Sequence, residues 1–352
     1  MAAVKSANQL GLVRLTVPPG IGTLERCGVD GASDSRGMRT FSMILFGGDY
    51  EHTLEIPSVR NGVELDYRPV ARPELFAKVL RRQKFDACEF SLSNYIMMRD
   101  RGDDWLTAIP VFPAREFRHG TILVRRDDLI ENFSELSGRR VGIPDYTMTA
   151  GVWCRGLLAE YYDLHWSKIA WLSSPTPRIS PPKEANVVPL HDDLEEALAN
   201  GRIDALLLPT SQDAAAPRDA RRFRPLLREW RAAEADYFHR TGIFPISHVV
   251  VVTKSAIAAN PMLPSVLMDA YSESMARARQ RRLATTFMPW GKDNWKEVMD
   301  MFGHDPLPYG LETSNRIVIN KLQDYLVEQR LIRRRHDVSS LFVDVDPNSA
   351  AR

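Results

Sequence analysis

The chain has 352 residues, enough for about two domains at roughly 100–200 residues each. Hydrophobic residues make up 44% and charged residues 26%, which excludes a disordered or low-complexity chain. A formal net charge of +1 excludes a global field for nucleic acid or an anionic membrane, so a bound anion must be held by local arginines.

In chain order, residues 1–40 carry Pro18-Pro19-Gly20 and little periodicity, and read as an extension before the first domain. Short apolar runs and helical segments then alternate. Strands are expected at 41–46, 63–69, 87–90 and 107–112, with helices at 73–82 and 91–101 and a crossing segment at 121–125. A second unit follows, with a helical stretch at 131–137, a strand at 140–143 and a helix at 149–162 capped by either Thr147 or Thr149. Strands at 168–172 and 186–190 flank a Pro-rich loop at 174–182, and a helix at 192–200 ends on Gly201 before a strand at 205–208. An Arg-rich segment at 218–231 leads to a strongly apolar strand at 246–253, then helices at 261–282, 292–302 and 314–330. Strands alternating with helices indicate an α/β fold of two lobes. Lobe 1 is expected to be discontinuous, 41–124 plus 232–352, with lobe 2 at 125–231 and a ligand cleft between them.

Several chemistries lack their signatures. There is no G-x-G-x-x-G after a strand, no P-loop, no G-x-S-x-G elbow and no H-E-x-x-H. Cys27, Cys88 and Cys154 are odd in number and scattered, which fits a reducing compartment better than a disulfide framework. The start of the chain lacks a long apolar signal region, and no apolar run is long enough to span a bilayer, so the expected location is cytoplasmic.

The candidate site residues lie at strand ends and helix starts. Glu89 ends a buried-looking strand, where a carboxylate is uncommon without a partner. Ser91 and Ser93 either cap the next helix or help its N-terminus hold an anion. Arg115 and Arg118, with His119, suit a dicarboxylate, or else form a solvated basic loop paired with Glu116. Thr149 stands near helix amides as a second carboxylate cradle, and Trp153 and Arg155 follow one turn on as pocket, core or surface residues. His248 borders the apolar strand as a core histidine or a general acid/base. Tyr309 belongs to an aromatic–proline cluster at the lobe interface and is placed to face the cleft.

These segments, in this order, resemble the 4,5-dihydroxyphthalate decarboxylase family over about residues 41–342. The resemblance rests on Gly48-Asp49-Tyr50-Glu51-His52-Thr53, Phe85-Asp86-Ala87-Cys88-Glu89-Phe90-Ser91-Leu92-Ser93 and Phe117-Arg118-His119. It continues with Val141-Gly142-Ile143-Pro144, Met148-Thr149-Ala150, Trp153-x-Arg155-Gly156, Gly242-Ile243-Phe244-Pro245-Ile246-x-His248 and Pro308-Tyr309-Gly310. Two positions depart from the family pattern, Gly120 after His119 and His52 before Thr53.

The resemblance implies a periplasmic-binding-protein-like (type II) fold, a carboxy-lyase activity in phthalate degradation and an aromatic carboxylate as partner. Decarboxylation through a ring hydroxyl para to the carboxylate requires no organic cofactor, and no metal site is expected. Arg118 with Arg115 is cast as carboxylate anchor, His119 and His248 as acid and base in either order, and Glu89 as a group that orients a histidine or accepts a catechol hydrogen bond. Ser91, Ser93, Thr149, Trp153, Arg155 and Tyr309 complete the expected pocket. Neither a nucleic acid nor a membrane partner is expected, and self-association into a homo-oligomer stays open. A cytoplasmic ligand sensor, a lyase for another aromatic acid and an interaction protein with a degenerate pocket remain alternatives on the same fold.

Overall fold

The computed structural model describes residues 41–208, 221–284, 288–303 and 305–345. The expected extension at 1–40 and residues 218–220 of the Arg-rich segment lie outside the described residues.

The chain first lays down β1 (Phe41–Gly47), β2 (Val59–Arg60), β3 (Val63–Pro69), β4 (Ala87–Ser91) and β5 (Leu106–Ile109), with helices α1 (Arg72–Leu80) and α2 (Leu92–Asp100) between them. It then builds a second sheet from β6 (Ile122–Arg125), β7 (Arg140–Ile143), β8 (Ala170–Ser173), β9 (Val188–Pro189), β10 (Ala205–Leu207) and β11 (Phe223–Pro225). Helices α3 (Thr149–Tyr161) and α4 (Leu194–Ala199) belong to this stretch, and α5 (Trp230–Thr241) follows it. The chain returns as β12 (His248–Thr253), which inserts between β4 and β5 and runs antiparallel to both. Helices α6 (Lys254–Ala259), α7 (Leu263–Ala284), α8 (Gly291–Phe302) and α9 (Thr313–Glu328) close the described chain.

Two six-stranded sheets result, ordered 2-3-1-4-12-5 and 11-6-10-7-8-9. The segment expected merely to cross between lobes is β6, an edge-proximal strand of the second sheet. The helix expected at 261–282 is α7, and a short helix that was not expected, α6, precedes it, capped by the Thr253 hydroxyl and ended at Asn260. The run Val249–Val252 is fully buried on both faces, which explains why β12 occupies an interior position rather than an edge.

Helix α3 is the hinge of the packing between the second sheet and the C-terminal helices. Its Gly156 lies against the Tyr325 ring of α9, so close that an added Cβ would sit 2.2 Å from Cγ. Trp153 donates its indole N–H to the Ile246 carbonyl at 2.8 Å and meets Tyr325 edge-on. Gln329 accepts from Arg155 Nε and donates to the Val152 carbonyl, so buried polar groups are paired across this contact. No described helix is long and apolar enough to cross a membrane.

Candidate active site

Strand register brings the site together. In the β4–β12 pair His248 stands opposite Ser91, and Val250 opposite Glu89. His248 and Glu89 are therefore diagonal neighbours on one face of the sheet, although 159 residues separate them. His248 Nδ1 lies 2.5 Å from Glu89 Oε1. Glu89 is buried and also accepts from the Tyr50 hydroxyl at 2.6 Å and the Gly48 amide at 2.7 Å. Burial alone would raise this carboxyl, but the bonds from His248, Tyr50 and Gly48 outweigh it and hold it below the ordinary carboxylate value. Glu89 is therefore an anion, and His248 Nδ1 is the donor. The Phe76 ring of α1 meets the His248 imidazole edge-on at 5.0 Å.

His248 opens on a cavity of about 250 Å³ at the ends of both sheets, with Glu89 buried behind it. From the first sheet and its neighbours come Ser91, Arg118, Ser247, His248 and, on α1, Arg72, Pro73 and Phe76. Facing them are Pro144 just past β7, the α3 N-terminus (Met148, Thr149, Ala150), Leu208 just past β10, Arg178 and Glu195. A cleft at strand carboxyl ends, with a helix N-terminus on one wall, is where open α/β sheets hold anionic ligands. Two larger clefts, of about 440 and 620 Å³, flank α8 and do not contain the Glu89–His248 pair.

Arg118 is buried, with Nη1 3.1 Å from Glu116 Oε2 and Nη2 donating to the Ser247 hydroxyl. Burial depresses its guanidinium, and Glu116 opposes that depression. Ser91 and Thr149 share a hydrogen bond of 2.9 Å, which joins the starts of α2 and α3. Ser91 occupies the N-cap position of α2 without capping it through its side chain, so its hydroxyl is spent on Thr149 instead. The N-cap of α3 is Met148, neither of the two expected threonines: Thr147 Oγ1 donates to Asp145, and Thr149 Oγ1 accepts the Ser93 amide.

Besides Glu89, six expected site residues do not line this cavity. Arg115 reaches the Pro308 carbonyl and Asn315 Oδ1, at 2.8 and 2.6 Å, and fastens the segment before α9. His119 sits among Phe133, Tyr162 and Tyr237, where burial pushes its imidazole down to about 4. Ser93 donates to the Thr147 carbonyl at 2.8 Å and ties α2 to the loop before α3. Trp153 and Arg155 belong to the α3–α9 contact, with Arg155 stacked 3.8 Å over the Tyr146 ring. Tyr309 packs beside Tyr271 behind the first sheet. Neither family departure lines this cavity: a Cβ on Gly120 would lie 2.9 Å from the Trp230 ring, and His52 stacks on Tyr50. Among the described residues no group of three or more His, Cys, Asp or Glu converges as a metal site.

Sequence reasoning missed Arg72, Arg178 and Glu195. Arg72 carried a signal, since it stands with Pro73 at a helix start after a strand. Arg178 comes from the Pro-rich loop, where the Arg178 amide donates to Asp145 at 2.7 Å, and no local pattern marks it.

Behind Arg118, the Glu234 carboxylate on α5 accepts the Gly120 amide at 3.1 Å. Burial, with Glu116 adding to it, pushes this carboxyl up to about 7. An unfolded chain ionises it near the ordinary value, so its cost to stability is absent at low pH, grows as pH rises and is complete above about 7. Glu234→Gln keeps the acceptor without the charge. Thermal unfolding should show a larger gain in Tm at about pH 8 than at about pH 5, and equal gains would refute this origin.

The two sheets and the cleft at their ends define a two-lobed, periplasmic-binding-protein-like α/β protein. The periplasmic aliphatic sulphonate binding protein SsuA from Escherichia coli matches with a TM-score of 0.54 at 14% identity, covering 89% of this chain and 99% of that one. The alkanesulfonate-binding protein from Xanthomonas axonopodis pv. citri matches with a TM-score of 0.54 at 13% identity, covering 86% and 98%. No family model matches the sequence. The 4,5-dihydroxyphthalate decarboxylase of Comamonas testosteroni is 32% identical over 260 residues, 70% of this chain and 78% of that protein. Its namesake from Pseudomonas putida is 36% identical over 146 residues, 39% of this chain and 57% of that protein. The chain belongs to the 4,5-dihydroxyphthalate decarboxylase family.

Proposed function

We propose that the protein is a carboxy-lyase that converts 4,5-dihydroxyphthalate to 3,4-dihydroxybenzoate and CO2, with His248 as its proton-transfer residue. The observation that carries this reading is the ionised, buried Glu89 bound to His248 Nδ1 at the wall of an arginine-lined cavity. Direct loss of CO2 would leave an unstabilised aryl carbanion. The hydroxyl para to the leaving carboxylate removes that difficulty by feeding electron density to the ipso carbon.

Arg118, Arg72 and Arg178 hold the carboxylates, since guanidinium forks match them bidentately. Glu195, the acidic side chain of the cavity lining, accepts hydrogen bonds from the catechol hydroxyls and strengthens their electron donation. Protonated His248 gives its Nε2 proton to the ipso carbon, while Glu89 keeps Nδ1–H oriented and stabilises the charged ring. The carbon–carboxylate bond then breaks, its electron pair restores the aromatic ring, and CO2 leaves. His248 recovers a proton from solvent, so each turnover consumes one proton. A cytoplasmic location fits the free, buried thiols of Cys88 and Cys154.

The test is CO2 release from purified protein with 4,5-dihydroxyphthalate, the product identified by mass. Multiple turnovers yielding 3,4-dihydroxybenzoate are expected. Tight binding without turnover would replace the reading by a ligand sensor, and turnover of another hydroxylated aromatic acid alone would replace the substrate.

A further inference from the structure

We propose that Tyr50 is a positioning residue of the proton-transfer pair, and that its hydroxyl couples the carboxylate anchor Arg72 to Glu89. The inference rests on the decarboxylase reading above and extends it to a residue outside the catalytic cavity.

Hydrogen-bond direction carries the argument. Arg72 Nη1 lies 3.1 Å from the Tyr50 hydroxyl and can only donate. The phenol therefore accepts from Arg72, and its single proton is committed to Glu89 Oε1 at 2.6 Å. The same Oε1 faces His248 Nδ1, while the Gly48 amide holds Oε2. Both carboxylate oxygens are thus fixed, and the plane of Glu89 cannot turn away from His248 without breaking a bond to Tyr50 or Gly48. The phenol ring is itself held. His52 stacks on it at 5.1 Å with an interplanar angle of 6°, and His52 Nε2 lies 2.9 Å from the Pro113 carbonyl. Arg72 also lines the cavity, so one continuous chain runs from a wall of the ligand site through Tyr50 and Glu89 to His248.

The other titratable groups near Glu89 stay neutral. Burial pushes Cys88, Tyr67, Tyr271 and Tyr309 up, and it pushes His52 down. Charge reaches Glu89 chiefly from His248, and the hydrogen bonds from Tyr50 and Gly48 add to its hold on the carboxylate. Tyr50 itself is pushed far up by burial and by Glu89, so it acts as a fixed donor rather than an acid.

Tyr50→Phe tests this, because it keeps the ring and its stacking on His52 and removes only the hydroxyl. A drop in kcat of about 10- to 100-fold is expected, the effect of one hydrogen bond to a charged group, with KM changed less than about twofold. The acid limb of the kcat–pH profile should move to higher pH, since Glu89 loses a donor that stabilises its carboxylate. Carbon-13 NMR of the Glu89 carboxyl in the ligand-free protein should show its titration midpoint move the same way. An unchanged kcat, or a lower Tm with neither pH midpoint moved, would overturn the proposal and leave Tyr50 a packing residue. If the wild-type protein fails to decarboxylate, the reading of its function falls, and the Glu89 titration alone then decides the role of Tyr50.

Discussion

Replacing His248 with alanine is expected to lower kcat for 4,5-dihydroxyphthalate by ~10²–10⁴-fold, the usual contribution of a positioned proton-transfer residue. The side chain is only slightly exposed, at 12%, and the exposed part opens on the cavity. Its loss removes the proton donor at the ipso carbon and leaves Glu89 with the Tyr50 and Gly48 bonds alone. The backbone of β12 should be indifferent to the change, because Val249–Val252 anchor that strand between β4 and β5. Far-UV circular dichroism and thermal unfolding should therefore report a folded protein. KM should change little, since the arginines hold the carboxylates. Unchanged kcat in the folded variant would remove His248 from the mechanism.

The second large effect is expected at Arg118. Arg118→Met should raise KM and lower kcat/KM by roughly 10- to 100-fold, the equivalent of one charge-assisted contact of about 1.5–3 kcal/mol. The guanidinium is buried at the cavity wall and pre-aimed by Glu116 and Ser247, so little conformational entropy is lost when it engages a carboxylate. Lysine should not substitute for it, because a point charge lacks the planar fork. Calorimetric titration with phthalate, which keeps both carboxylates and lacks the hydroxyls, separates anchoring from catalysis. Weaker phthalate binding is the expected result; wild-type affinity with wild-type KM would mean that Arg118 only braces the turn before β6. Some stability should also be lost, since the half-exposed Glu116 gives up its partner.

The contrast between Arg118 and His119 shows where sequence reasoning stops. The two are consecutive, and their sequence places both in one expected pocket. They enter a short 3-10 turn with Arg118 at φ −121°, and the two side chains leave it in different directions. One reaches the cavity, and the other enters an aromatic cluster with Phe133 and Tyr237. Trp153 and Arg155 stay out of that cavity for a related reason. Position at a strand's carboxyl end locates the start of α3, but which face of that helix meets the ligand depends on where α9 packs, and Gly156 and Tyr325 settle that. Arg115 was drawn off by the Pro308 carbonyl and Asn315, about two hundred residues away in sequence, and no local pattern reports such a contact.

The sequence by itself determined most of the element types and their order, because local periodicity, turn residues and strand-sized apolar runs act within a few residues of one another; β2, β11, α5 and α6 escaped it. It determined that β12 would be buried, since four consecutive valines suit a strand covered on both faces. It also marked Glu89 as a carboxylate uncommon without a partner, and His248 as a core histidine or a general acid/base. Tertiary structure decided that they partner each other. A chain return inserts β12 beside β4, and the register of that pairing sets His248 diagonal to Glu89. Tertiary structure likewise chose Arg72 and Arg178 over Arg115 as cavity arginines, because membership of a cleft between two sheets is a property of the assembled lobes rather than of any segment.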